Sequence, residues 1–154
     1  MTLFAKQPDR TLKDLVFEAT TDALRHAGLG VSAVEECYFA NAVGGSITGQ
    51  EMVAAQVTLR PVGIAGIPIF NVENACASAS TAFHLACLAV ASQRCEVALA
   101  VGAEKMTHVD KARSFAAIGG SVDVERAPSE LPSERSFLMD MYAQAARSRA
   151  RGSH

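Results

Sequence analysis

The sequence predicts an α/β fold in three layers, with a mostly parallel sheet covered by helices on both faces. Three observations predict it. Short apolar runs of strand length alternate with stretches of helical periodicity as far as Gly102. Those runs are continuously apolar, as in strands buried on both sides, and do not switch between apolar and polar at each residue. Glycine and proline punctuate their ends.

Leu12, Leu15, Val16, Ala19, Ala23 and Leu24 recur at helical spacing between a start signal at Asp9 to Thr11 and a stop at Gly28 and Gly30, which predicts an amphipathic helix. Glu36 to Val43 follows as a strand, ended by Gly44-Gly45, and Gln50 to Leu59 as a second helix halted before Pro61. Ile67 to Val72 is expected to be a second buried strand, and Glu96 to Val101 a third. Between them, Ala77 to Gln93 contains no charged side chain, so this helix is apolar all round and is expected to be buried all round. Its many small residues would let another backbone approach closely, against a second domain or a symmetry mate. An ordinary central helix of a three-layer sandwich is the alternative. Beyond Gly120 the pattern changes to a polar stretch with Pro128 and Pro132, and then to a helix from about Ser133 with Phe137, Leu138, Met141 and Tyr142.

Composition excludes several classes of function. The 154 residues are 49% hydrophobic, enough for one compact core. With 14 basic against 16 acidic side chains, the net charge is −2, and no Lys/Arg block suggests a nucleic-acid surface. The N-terminus turns polar after five residues, and the longest uncharged stretch is broken by Ser, Thr, His and Gln, so neither secretion nor membrane insertion is expected. Cys37, Cys76, Cys87 and Cys95 are spaced 39, 11 and 8 residues apart, which matches no zinc pattern and no Cys-x-x-Cys pair. They are expected to be reduced thiols of a cytoplasmic protein, with no metal.

Cys76 stands out by position. Asn71-Val72-Glu73-Asn74-Ala75-Cys76-Ala77-Ser78 runs from the end of a predicted strand into the uncharged helix, which places Cys76 at its first turn. There the unpaired N–H groups and the positive end of the helix dipole favour the thiolate, the form that attacks a carbonyl carbon. The same N–H groups can hold the oxyanion formed when a thioester is attacked. Open α/β sheets also place their ligands at the carboxyl ends of their strands. Against this stands the ordinary role of a free cysteine as a small buried hydrophobe. For Cys37 and Cys95, at predicted strand positions, and Cys87, within the helix, that structural role is expected.

NVENACASASTAFHLACLAVAS, followed by VALAVGAEKMTH, resembles the nucleophile region of the thiolase superfamily, and within it the sterol-carrier-protein-x type thiolases. FANAVGGSITGQ upstream, and DKARSFAAIGG and FLMDMYAQAAR downstream, fit the same group, so the resemblance spans roughly residues 2 to 146. It implies an acyl-CoA C-acetyltransferase in lipid metabolism. Cys76 would take the acyl group of a 3-ketoacyl-CoA and pass it to free CoA, with the Cys76 N–H in one oxyanion hole. Coenzyme A thioesters are then substrates, and no bound cofactor is expected. The likeness also implies a homo-oligomer, such as a dimer, or pairing with a C-terminal half. Residues 1–120 would form the nucleophile-bearing part of the N-terminal domain, and 121–154 the start of a loop excursion and a divergent tail.

The sequence departs from the family pattern at several points. Family members often carry Gly three residues after the nucleophile, where this chain has Ala79, a methyl expected to narrow the pantetheine approach. His84 lies two helical turns beyond Cys76, at about 12 Å of rise too far to serve as its base, and is expected to be a packing or interface histidine. Neither the Gly-His-Pro loop nor the Cys-x-Gly-Gly loop of the family occurs in the 154 residues. The resemblance therefore implies three strands of five and a thiolate without its activating base, so that the chain alone would be inactive. The tail from Ser148 to His154 diverges from the family's continuation. Three alternatives remain: a non-catalytic module that associates with a complete thiolase-like subunit, a fragment without a stable fold, and a condensing enzyme of the ketoacyl-synthase type.

Overall fold

The computed structural model describes residues 1–3, 5–125 and 136–151. The chain forms two compact units, Met1–Lys105 and Met106–His154. The first begins with α1 (Leu12–Ala27), which starts at a capping box. The Thr11 side chain accepts from the Asp14 N–H, and the Asp14 carboxylate accepts from the Thr11 N–H at 2.7 Å. The Thr11 hydroxyl, which donates to the same carboxylate at 2.7 Å, and then the Thr11 N–H hold the Asp14 carboxyl below the usual carboxylate range. Gly28 ends the helix in the left-handed conformation, at φ 68°.

Three strands follow: β1 (Glu36–Ala40), β2 (Ile69–Val72) and β3 (Ala98–Gly102). They make a parallel sheet in the order β2-β1-β3, with Cys37 opposite Ile69 and Leu99, and Ala40 opposite Val72 and Gly102. All five residues of β1 are buried, as a central strand requires. Its side chains alternate between two cores. Cys37 and Phe39 join Val16, Leu59, Leu99 and Val101 on the face covered by α1 and α3 (Ala54–Leu59). Tyr38 and Ala40 join Val72, Ala82, Ala86 and Ala89 on the face covered by α4 (Ser78–Ala91). The expected α/β/α layering with three parallel strands is thus present.

Several boundaries differ from the sequence expectation. β1 stops at Ala40, three residues early, because Asn41 turns the chain into a short helix, α2 (Gly44–Thr48), that the glycine pair concealed. The second helix begins at Ala54 and not at Gln50, after Val53 takes a left-handed conformation at φ 50°. β2 is an edge strand with Phe70 and Asn71 exposed, not a strand buried throughout. Cys95 precedes β3 and is buried beside it, outside the strand where it was expected.

The largest difference is α4. Only Ser78, Ala82, Ala86 and Ala89 are buried in it, while Phe83 is 65% exposed and Leu88 and Val90 face outward as well. An apolar circumference says that a helix wants cover on all sides, but it cannot say which chain provides the cover. Cys87, expected to be buried, is exposed on this outer face, and so is His84, expected to be a packing or interface histidine.

In the second unit, α5 (Lys111–Gly119) starts at Asp110, whose side chain accepts from the Ala112 N–H at 3.0 Å. The sequence had shown no helix there. The helix expected from about Ser133 is α6 (Phe137–Arg151). Residues 133–135, with Pro128, Pro132 and the end of the tail at 152–154, lie outside the described residues.

Candidate active site

A parallel sheet brings the carboxyl ends of all its strands to one side, so the loops after β1, β2 and β3 meet there. The loop after β1 is fastened to the loop after β3 by Glu104. Its carboxylate accepts from the Ala42 N–H at 2.7 Å and the Val43 N–H at 3.2 Å, and the Asn41 side-chain amide donates to the Ala103 carbonyl at 2.7 Å. Gly44 is required at this junction, because a β-carbon would lie 2.6 Å from Asn41 Nδ2 and 2.8 Å from Glu104 Oε1. On the other side, the Asn71 side chain accepts from the Ala55 N–H at 2.8 Å and ties the start of α3 to β2.

Between these fastenings, β2 passes through Glu73 and Asn74 into a single 3-10 turn, Ala75–Ala77, and then into α4. Ala75 is left-handed, at φ 45°. That conformation costs a residue with a β-carbon about 1–2 kcal/mol. Side chains hold it in place. The Ala75 N–H donates to Glu73 Oε1 at 2.6 Å, and the Ser78 hydroxyl accepts from the Asn74 N–H at 2.8 Å while donating to the Ala75 carbonyl at 2.7 Å. The Asn74 side-chain amide donates to Thr81 Oγ1 at 2.9 Å, and that hydroxyl donates to the Ala77 carbonyl at 3.0 Å.

Cys76 sits at the apex of this elbow, exposed. The Ala77 N–H donates to the Asn74 carbonyl and the Ser78 N–H to the Ala75 carbonyl, whereas the Cys76 N–H has no acceptor among the described residues. An exposed sulfur beside an unused backbone donor at the head of a 14-residue helix can form a covalent bond to a carbonyl carbon and steady the oxygen of that carbonyl. Ala79 lies over Gly102 at the end of β3, where a β-carbon on the glycine would stand 3.6 Å from the Ala79 methyl. A crevice of about 330 Å3, lined by Phe39, Asn41, Glu51, Asn71, Val72 and Glu73, opens at the carboxyl ends of β1 and β2 next to the elbow.

The other cysteines are placed differently. Cys37 is fully buried in β1, and burial pushes its thiol up to about 12. Cys95 is also raised, first by burial and then by the neighbouring Glu36 carboxylate. Cys87 lines an apolar groove of about 580 Å3 with Leu24, Val34, Phe83, Val90 and Leu99. Sequence inspection found Cys76 from its place between strand and helix but missed Glu73, Asn74 and Ser78. The one available signal was Ser78 itself, a short hydroxyl at a helix start, a common place for bonds to nearby backbone. Among the described residues no group of three His, Cys, Asp or Glu side chains could hold a metal ion, and no helix is long and apolar enough to cross a membrane.

Residues 1–147 match the family model described as the thiolase N-terminal domain. The chain belongs to the thiolase family. Among its relatives, it is 38% identical over 124 residues to the acetyl-CoA acetyltransferase of Methanocaldococcus jannaschii, a match covering 80% of this chain and 31% of that one. Sterol carrier protein 2 of Gallus gallus is 36% identical over 117 residues, covering 75% of this chain and 20% of the relative. A benzoylsuccinyl-CoA thiolase subunit of Thauera aromatica is 34% identical over 101 residues, or 64% of this chain and 25% of the relative. The thiolase chain described here therefore spans about a fifth to a third of the length of these relatives.

Proposed function

We propose that the protein is the nucleophile-bearing part of a thiolase-type acyltransferase acting on coenzyme A thioesters, with Cys76 as the acyl acceptor. The elbow supports this most directly: an exposed thiol beside an unused N–H, at a strand-to-helix turn of a thiolase N-terminal domain. Names of relatives point to the same substrate class, since two of them carry acetyl-CoA or benzoylsuccinyl-CoA in theirs.

In the degradative direction, the Cys76 thiol gives its proton to a base and its sulfur attacks the C3 carbonyl carbon of a 3-ketoacyl-CoA. Negative charge then gathers on the carbonyl oxygen, toward which the Cys76 N–H is available. The bond between C2 and C3 breaks, its electron pair leaves on C2 as the enolate of acetyl-CoA, and a proton returns to that carbon. Free CoA next attacks the thioester, losing its thiol proton, and Cys76 leaves as thiolate with the shortened acyl chain on CoA. His84 stands about 12 Å of helical rise from Cys76, too far to take its proton directly.

Incubation with acetyl-CoA at mildly alkaline pH is expected to add one acetyl group to Cys76, located by peptide mass spectrometry. Cys76→Ala abolishes the adduct. An adduct that persists in the alanine variant refutes the assignment.

A second possibility, a module that docks on a complete thiolase-like subunit, is supported by the outward apolar face of α4 at Phe83, Leu88 and Val90. Light scattering on the eluting protein tests it, and a stable monomer contradicts it.

A further inference from the structure

The elbow carries a device that neither the family membership nor the position of Cys76 accounts for. Ala75, immediately before the sulfur, is held in a left-handed conformation that an alanine avoids unless its surroundings impose it. What imposes it is visible. Ser78 is buried at 5% exposure, and its hydroxyl bonds on both sides of Ala75, to the N–H of the preceding residue and to the carbonyl of Ala75 itself. A hydroxyl has one donor and two acceptor sites, and here the donor and one acceptor both serve this single peptide turn. Glu73 takes the remaining handle, the Ala75 N–H.

We infer that Ser78 is a positioning residue for the reaction at Cys76: its hydroxyl keeps Ala75 left-handed, and Ala75 in turn aims the Cys76 sulfur out of the turn. The inference rests on Cys76 as nucleophile, but its physical content is geometric. Without the hydroxyl, the Asn74 N–H loses its partner, the Ala75 carbonyl keeps only the Ser78 N–H, and Ala75 is free to return to an ordinary conformation. The Cα–Cβ bond of Cys76 then turns with it, and small misplacements of a reacting atom are costly in rate.

A glycine tests this, because left-handed backbone costs it nothing. In the 154-residue chain, acylation of Cys76 by acetyl-CoA is measured alongside alkylation of Cys76 and Cys87 by iodoacetamide. Cys87 is exposed on α4 and serves as the internal reference. Ser78→Ala is expected to slow Cys76 acylation by about tenfold and to lower the ratio of Cys76 to Cys87 alkylation. Ala75→Gly in the Ser78→Ala background restores the rate to within about threefold of the parent, a rescue that relief of the backbone strain explains and repair of a folding defect does not. Glu73→Ala, at an exposed residue where loss of the fold is not in question, gives a smaller loss that Ala75→Gly also reverses. An unchanged Cys76 rate in Ser78→Ala and Glu73→Ala, or losses that Ala75→Gly leaves in place, overturns the inference. Where acylation of the isolated chain is too slow to read, the alkylation ratio decides the inference, and a ratio unchanged in Ser78→Ala overturns it.

Discussion

The two ends of the sheet solve opposite problems. At the amino end a buried carboxylate is paired, and the buried thiols and phenol are kept neutral. Glu36 is buried, yet its carboxylate accepts from Arg94 Nη2 at 2.8 Å, Arg94 Nε at 3.1 Å and the Tyr38 hydroxyl at 2.8 Å. Tyr38 stacks on Phe70 with ring centroids 5.1 Å apart, and the Arg94 guanidinium lies 6.0 Å from the same ring. Burial raises the Tyr38 hydroxyl, helped by Glu36, and raises the thiols of Cys37 and Cys95. At the carboxyl end, backbone strain at Ala75 is tolerated, an N–H at Cys76 has no acceptor among the described residues, and a thiol is exposed. The difference teaches where stability is kept and where strain is tolerated: polar groups pair with one another at the quiet amino end, while a left-handed alanine and an exposed thiol stand at the reactive carboxyl end.

Removing the charge partner at the quiet end is expected to have the largest effect on stability. Arg94→Met leaves the Glu36 carboxylate buried with only the Tyr38 hydroxyl and the Cys95 thiol as partners, which should lower the urea unfolding midpoint more than Cys37→Val does. Adding Glu36→Gln removes the stranded charge, so the double variant is expected to be more stable than Arg94→Met alone. The acylation rate of Cys76, at the far end, should stay unchanged in both. A double variant no better than the single one would mean that Arg94 acts through packing on Phe70 and not through the carboxylate.

Much of the quiet end was legible in the sequence and little of the reactive end was. Apolar runs at Glu36, Ile67 and Glu96 announced the strands, and Asp9 to Thr11 and Gly28 marked the ends of α1, because periodicity and capping are local signals. Cys76 was found by its position between a strand and a helix. Its supports were hidden, since alanine disfavours the left-handed region and no propensity predicts Ala75 there. α2 was concealed by Gly44 and Gly45, residues that weaken a helix; a β-carbon would crowd Asn41 and Glu104 at the first and the backbone of Gln50 and Glu51 at the second. The apolar circumference of α4 called for cover by a second domain or a symmetry mate, and in the single chain its outward face, with Phe83, Leu88 and Val90, stands uncovered, as that reading allows.

Cys37 sharpens the comparison with an effect of intermediate size. Its folded thiol titrates at about 12, against an ordinary value of 9.0. Below pH 9 both folded and unfolded thiols keep their protons and stability does not depend on this group. Between pH 9 and 12 only the unfolded chain loses the proton, so stability falls as pH rises, by about 1.4 kcal/mol per pH unit. Cys37→Val, close in volume, should change stability at neutral pH by no more than about 1 kcal/mol and should reduce this alkaline slope. The slope does not vanish, because Cys95 and Tyr38 are raised as well and act in the same direction. Equal slopes in parent and variant, measured by urea midpoints across that window, would show that Cys37 is not held neutral by burial.

The smallest effect belongs to the reactive end and has the opposite sign. Ala75→Gly removes the left-handed penalty at φ 45°, worth about 1–2 kcal/mol, and gives back part of it because glycine has more freedom to lose on folding. A net gain of up to about 1 kcal/mol in the urea midpoint is expected, with Cys76 acylation within about twofold of the parent because Ser78 and Glu73 still hold the turn. Stability that rises while reactivity stays level means that the strain at Ala75 is a cost of the chosen geometry and not itself a source of rate. If the glycine variant gained stability and lost acylation together, the alanine would be there to stiffen the elbow, and the two ends of the sheet would differ in rigidity as well as in charge.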